Sequence, residues 1–489
     1  MGVEAKKTVS HAGIYALGNI LRNAVSIIML PVYTRFLSPQ DYGVIELLSM
    51  LMDFVGIIFG MRLAEAIFRY YFDAGSDAER KSVISTSLFL SFALNAIGVL
   101  LVMLLAEPLA HLLFGGSGQS NYIRLFSLTL LLEAVTAVPM IFVRAQQRPW
   151  LFIAFNLFKL AMQLSLNIYL IVIKGMRVEG VIYSALISGV VMACVLTVYT
   201  LSKVGMHTSY NVLGKVARFS IPLILATIGS FYLTFGDRYF LRVFGNLSEV
   251  GIYALGYKFG FILTVLMWDP FEKIWASQRY EVHRRPDALD IFRKTFVFMS
   301  LLMIAAALGI SLFVKDLLDV MSAPAFHPAH AIVPIVLIAY VLQAWTSFCN
   351  FGLLLKHKTG QIAYGSTIAV AVITVAYLTL IPLFGIFGAA WATVIGFAAR
   401  FYWIERQSTL EYDMLLPWRK IAAISSLAIC VYLLSLFVPD RIFLSLAVRA
   451  CLYLLFVASI ILLPILSPDE KSVIIRILKE PHKIKQVFA

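Results

Sequence analysis

Charge is what this sequence has least of. Across 489 residues only 14% are Asp, Glu, Lys or Arg, against about a quarter in an ordinary soluble domain. That deficit excludes a solvated surface over most of the chain. Cysteine is scarce too: Cys194, Cys349, Cys430 and Cys451 stand singly inside apolar runs, with no C-x-x-C spacing. They read as buried free thiols, and neither a disulfide framework nor a cysteine metal site is expected. Ten-residue stretches of alternating polarity are missing, which argues against an outer-membrane barrel. Gly115-Gly116-Ser117-Gly118 lacks the Lys-Ser/Thr of a phosphate loop, and His327-Pro328-Ala329-His330 lacks the glutamate of a zinc-hydrolase pair. No catalytic constellation, cofactor or metal is expected, and the chain is not read as an enzyme. Lys6 and Lys7 make a weak basic start, but the segment after them is too long and too polar on one face for a cleavable signal.

What the sequence has in abundance is apolar helix. Hydrophobic residues make up 61% of the chain and the mean hydropathy is +0.87. Runs of about 20 apolar residues, each enough to cross a ~30 Å hydrocarbon core, recur from end to end. Fourteen spans are predicted: 11–36, 42–60, 82–106, 122–143, 150–173, 179–201, 219–242, 249–271, 295–319, 331–354, 361–384, 386–404, 418–438 and 443–465. The fold class is an all-α polytopic membrane protein. With the N-terminus in the cytoplasm and the loops alternating, 28 Lys and Arg residues fall on the cytoplasmic side and 8 on the other. This positive-inside bias supports the count and places both termini in the cytoplasm. The net charge of +13 is spread over these loops rather than gathered on one face, so nucleic acid is not expected as a partner.

An internal repeat is visible. Arg35-Phe-Leu-Ser-Pro-Gln-Asp-Tyr-Gly43 resembles Arg242-Val-Phe-Gly-Asn-Leu-Ser-Glu-Val-Gly251, and Gly180-Val-Ile-Tyr-Ser-Ala resembles Gly388-Ala-Ala-Trp-Ala-Thr. The glycines of both pairs are 208 residues apart. One offset from two anchors predicts a duplicated six-helix unit in parallel orientation. The expected organisation is an N-terminal lobe at 1–203, a polar loop at 204–216, a second lobe at 217–410, and two extra helices with a basic tail at 411–489. The two lobes would surround a central cavity.

The turn Leu30-Pro31-Val32-Tyr33-Thr34-Arg35-Phe36-Leu37-Ser38-Pro39-Gln40-Asp41-Tyr42-Gly43, the repeat, and the six-plus-six-plus-two layout together carry a resemblance. It is to the polysaccharide-export branch of the multidrug/oligosaccharidyl-lipid/polysaccharide (MOP) transporter superfamily, which includes O-antigen and oligosaccharide flippases. The resemblance implies alternating access and a polyprenyl-pyrophosphate-linked sugar as cargo. It also implies a bacterial inner-membrane location, with membrane lipids and components of a polysaccharide polymerase or synthase as partners.

Within the spans, polar residues form stripes. In the first span Tyr15, Asn19, Arg22, Asn23 and Ser26 share a helix face. In the fifth, Asn156, Lys159, Gln163 and Asn167 do so. A cation near mid-bilayer costs on the order of 2.5–3.5 kcal/mol on insertion scales, so Arg22 and Lys159 should face the bundle interior or a wet cavity. Asn19, Arg22, Asn23, Asn156, Lys159, Gln163 and Lys258 are the candidate substrate-binding residues. Arginine holds pyrophosphate oxygens by paired hydrogen bonds and lysine as a point charge, while the amides suit sugar hydroxyls. Tyr15, Tyr253 and Tyr257 are read as further sugar contacts. Asp53 and Asp237 are candidate ion-coupling carboxylates or ion-pair partners of these cations. Arg238 and Arg242 read as interfacial. For the neutral polar residues the alternative is plain helix-to-helix hydrogen bonding. The alternative functions are a peptidoglycan lipid-precursor flippase, a drug or cation antiporter of the same superfamily, and a non-transporting partner of a polysaccharide synthase.

Overall fold

The computed structural model describes residues 29–60, 63–438, 442–468 and 470–471. Tyr15, Asn19, Arg22, Asn23 and Ser26 lie outside the described residues. Regular structure among the described residues is helical throughout. In chain order it comprises α1 (Pro39–Phe59), α2 (Leu63–Asp73), α3 (Asp77–Leu104), α4 (Ala106–Phe114), α5 (Ser120–Ala145), α6 (Pro149–Asn167), α7 (Arg177–Val204) and α8 (Tyr210–Phe244). These are followed by α9 (Leu247–Leu263), α10 (Asp269–Val282), α11 (Ala288–Met321), α12 (Val333–Cys349), α13 (Phe351–Leu355), α14 (Thr359–Glu411), α15 (Trp418–Ser435) and α16 (Ile442–Leu462). π-helical turns at Ile168–Ile173 and Thr264–Trp268 prolong α6 and α9.

The helix starts follow from local chemistry. Ser38 accepts from the Asp41 amide at 3.1 Å, Asp41 accepts from the Ser38 amide at 3.0 Å, and Pro39 occupies the first turn of α1. This reciprocal cap satisfies amides that the first turn would leave bare. Ser76 caps α3 by accepting from the Glu79 amide at 3.2 Å, while the Glu79 carboxylate accepts from the Gly75 amide at 2.8 Å. α14 is 53 residues long, near 80 Å at ~1.5 Å per residue, too long for one crossing. Gly385, at φ 53° and ψ −127°, breaks it in two. Only glycine adopts that backbone readily, and the break falls where the sequence predicts the eleventh and twelfth spans to meet.

Eleven helical stretches among the described residues are long and apolar enough to cross a membrane. The bend in α14 makes two crossings of one stretch, and α8 is a further long helix at the predicted seventh span. The chain is an all-helical polytopic membrane protein, and its helix inventory is roughly that of the fourteen predicted spans. α2, the amphipathic tail of the predicted second span, buries Leu63, Ala66 and Ile67 against Ile84, Leu88, Val138, Phe142 and Val216.

The chain divides into two compact units, Met1–Gly251 and Ile252–Ala489, with the boundary inside α9. In the first, α8 packs on α1, α2 and α3. Small residues let helices approach, because lipid gives little hydrophobic drive between them. Gly189 of α7 faces Leu132 of α5, and Ser91 of α3 donates to the Ala134 carbonyl at 3.5 Å. In the second unit, α15 and α16 lie on α11 and on each other. A buried ion pair fixes α16: Arg449 donates to Asp316 of α11, whose other oxygen accepts from Ser445 at 2.8 Å. An apolar cavity of about 300 Å³ lies between α11, α12 and α15, lined by Leu308, Leu337, Val341 and Ala428 among others.

Candidate substrate-binding and coupling residues

α6 carries the clearest polar stripe, and the structure divides it. At its far end Asn167 is buried, donating to the Tyr33 hydroxyl at 2.9 Å and accepting from Ser184 of α7. That asparagine holds helices together. Asn156, Lys159 and Gln163 are only half-buried. Asn156 donates to the Phe152 carbonyl one turn back at 2.7 Å. Among the described residues Lys159 has neither a hydrogen bond nor an ion pair.

α1 and α5 bring carboxylates together. Glu46 and Asp53 sit two turns apart on α1, and both Glu46 and Glu133 of α5 act electrostatically on Asp53. Asp53 and Glu133 are exposed at the side-chain level. Sequence reasoning missed Glu133. The signal was available: a glutamate stands midway through an apolar run, between Leu132 and Ala134, where a charge is expensive and seldom idle.

Asp237 and Arg238 are adjacent on α8 and completely buried, at 0% and 1% exposure. They pair at 2.7 Å, and Arg238 also donates to the Thr234 carbonyl at 2.9 Å and lies over the Phe235 ring. The interfacial reading of Arg238 is therefore corrected: it neutralises its neighbour inside the protein. Arg242 is likewise engaged, donating to the Phe114 carbonyl at the end of α4.

In the second unit Lys258 is half-buried on α9. Tyr253 and Tyr257 are fully buried, so the expectation that they contact sugar does not hold in this structure. Tyr253 lies 3.5 Å from the Thr393 hydroxyl, and Tyr257 packs edge-on to Tyr340. A second missed residue is Arg279. The sequence reads it as a loop residue, but α10 continues through it and leaves it 7% exposed. It donates to Asn350 at 3.2 Å and lies over Tyr280 and Phe351. Its stripe with Glu272 and Trp275, at helical spacing, was the signal.

Among the described residues no cluster of three His, Cys, Asp or Glu side chains is poised for a metal. His327 pairs with Asp319 at 3.1 Å. Of the four free cysteines, Cys349 is buried, whereas Cys194, Cys430 and Cys451 are exposed. The buried reading holds for Cys349 alone, because the other three lie on outward-turned helix faces.

The described residues thus form an all-helical bundle that carries charged and amide side chains inside its membrane-length helices. The lipid II flippase MurJ in an inward closed conformation superimposes with a TM-score of 0.67 at 13% identity, over 91% of this chain and 98% of that one. An inward-facing multidrug-resistance MATE family transporter of the MOP superfamily gives 0.58 at 16% identity, over 84% and 96%. At such identities the likeness is one of fold. Residues 32–331 match the family described as polysaccharide biosynthesis protein, and this chain belongs to that family. A probable low-salt glycan biosynthesis flippase, Agl15 of Haloferax volcanii, is 23% identical over 232 residues, 47% of this chain and 49% of that protein. An uncharacterized membrane protein of Haemophilus influenzae is 23% identical over 266 residues, 53% and 62% of the two chains. The chain thus spans about half to three-fifths of the curated relatives it matches.

Proposed function

We propose that this protein is a lipid-linked oligosaccharide flippase. It moves a polyprenyl-pyrophosphate-linked sugar from the inner to the outer leaflet by alternating access, for cell-surface polysaccharide biosynthesis. The observation that carries this reading is Lys159, a half-buried ammonium flanked by Asn156 and Gln163, with no counter-ion among the described residues. A pyrophosphate supplies the missing charge, and the amides suit sugar hydroxyls. Arg22, with Asn19 and Asn23, and Lys258 are assigned to the same head group. Asp53 is assigned to ion coupling, and Asp237 to a structural ion pair with Arg238. The name of the Haloferax relative supports a glycan cargo. We place the protein in a bacterial inner membrane with both termini cytoplasmic, with lobes at 1–203 and 217–410, the 204–216 loop between them, and 411–489 as an accessory part. A polysaccharide polymerase or synthase is the expected protein partner.

The test is export at matched protein abundance in a deletion strain complemented with variants. The deletion should accumulate the lipid-linked intermediate on the cytoplasmic side. Lys159→Ala should lower export at least ~10-fold, about 1.4 kcal/mol of lost binding, with abundance intact, since removing a charge from a span eases insertion. Full activity of that variant would remove Lys159 from the site.

A second reading, a cation antiporter, draws on the carboxylates Glu46, Asp53 and Glu133. It requires drug extrusion in the complemented strain with no change in lipid-linked intermediates. The MurJ-like fold suits a third, flipping of the peptidoglycan precursor, which requires rescue of a strain lacking its own precursor flippase.

A further inference from the structure

The sequence repeat relates Gly43 to Gly251, and in the structure these two glycines meet. A Cβ on Gly43 would lie 2.0 Å from the Leu247 carbonyl oxygen, and one on Gly251 would lie 2.0 Å from the Pro39 carbonyl oxygen. Pro39 and Leu247 are separated by the same 208 residues. The contact is therefore two-fold: each helix start presents the same glycine to the same carbonyl of the other. All four residues fall in the first compact unit. The caps repeat as well. Ser38 and Asp41 open α1, while Asn246 and Glu249 exchange bonds of 3.0 Å at the start of α9.

The crossing is bare backbone against bare backbone. The atoms nearest to either glycine's missing Cβ are all main-chain atoms of the other helix start. The crossing also joins two helix N-termini, whose positive dipole ends repel. Asp41 and Glu249, in the first turn of each helix, offset that repulsion. A contact that is symmetric and made main chain to main chain suits a joint that breaks and re-forms as one event.

We propose that the Gly43–Gly251 crossing is a gate contact, closed in this structure, which parts on the side opposite the chain termini during the transport cycle. The proposal rests on the alternating-access reading above. It requires glycine at both positions, since a methyl group there meets a carbonyl oxygen that no rotamer change can move.

Val250, buried beside the crossing, supplies the reporter. Val250→Cys is labelled with a membrane-impermeant maleimide, and the rate is read above the background of the native cysteines. Gly43→Ala and Gly251→Ala should each raise that rate several-fold, as should Asp41→Asn with Glu249→Gln. Gly116→Ala, where a Cβ meets nothing within 4 Å, should leave it unchanged. Unaltered labelling in both glycine variants at normal abundance overturns the gate. Should those variants fail to accumulate, a cysteine pair at Gln40 and Ser248 is bridged by a reducible cross-linker. Export should stop and return on reduction; undiminished export by the bridged protein overturns the proposal. Labelling involves no cargo, so it tests the gate separately from the flippase reading, which fails on its own if lipid-linked intermediates are unchanged in the deletion strain.

Discussion

Asp53 and Glu133 pose the sharpest question at the scale of single residues. They project from adjacent helices α1 and α5, both exposed, with Glu46 nearby on α1. Carboxylates gathered inside spans are costly and seldom idle, and ion coupling is a use for them. Asp237 is not open to that use, because Arg238 already occupies it at 2.7 Å. Asp53→Asn or Glu133→Gln should therefore keep cargo binding and lose the response to an imposed pH gradient, measured as export from energised vesicles. Asp237→Asn should instead strand a buried guanidinium, so its effect should be on abundance. The reverse pattern would move the coupling role to α8.

At the scale of elements, the ion pair between α11 and α16 is the test of how the C-terminal helices are held. Arg449 and Asp316 are 6% and 8% exposed. Removing one member of such a pair costs about 3–5 kcal/mol, whereas replacing both with apolar residues of like size is often neutral. Asp316→Leu or Arg449→Leu alone should lower the melting temperature in detergent by several degrees, and the double replacement should restore most of it. The start of the C-terminal tail is pH-sensitive. Burial pushes the Glu470 carboxyl up, but hydrogen bonds from Lys420 and Ser467 outweigh it and hold the group below its usual range. The tail's attachment is thus fully present above the unfolded value, near ~4.3, and is lost as pH falls through the lower folded one. Proteolysis at the Ser467 junction should stay slow from neutrality to about pH 4.5 and rise only below it. Spans were legible because apolar length and loop charge are written residue by residue. The break at Gly385 was legible too, since a proline and two glycines cluster there. Which cations were already engaged was not, because Arg279 meets the Asn350 amide and Arg449 the Asp316 carboxylate across 71 and 133 residues. Hydropathy carries nothing about such partners.

At the scale of the whole molecule, the repeat and the basic loops make one joint claim about orientation. An even number of crossings would put both termini on one side, and the 28-to-8 bias in Lys and Arg is the argument for that side being the cytoplasm. The helix inventory is compatible with the even count: eleven membrane-length stretches, one of them bent into two crossings, the long helix α8, and the predicted first span outside the described residues. The repeat adds a second constraint, because copies 208 residues apart with six crossings each must begin on the same side. A phosphatase reporter, active only outside the cytoplasm, should be active when inserted at Gly116 between α4 and α5. It should be silent when inserted at Gly205 between α7 and α8, and silent again at the C-terminus. Activity at both Gly116 and Gly205 would mean an even number of crossings between them, in place of the expected three, and would break the six-helix repeat. Activity at the C-terminus, with Gly116 active and Gly205 silent, would mean an odd number of crossings after Gly205 and place the miscount in the second half of the chain.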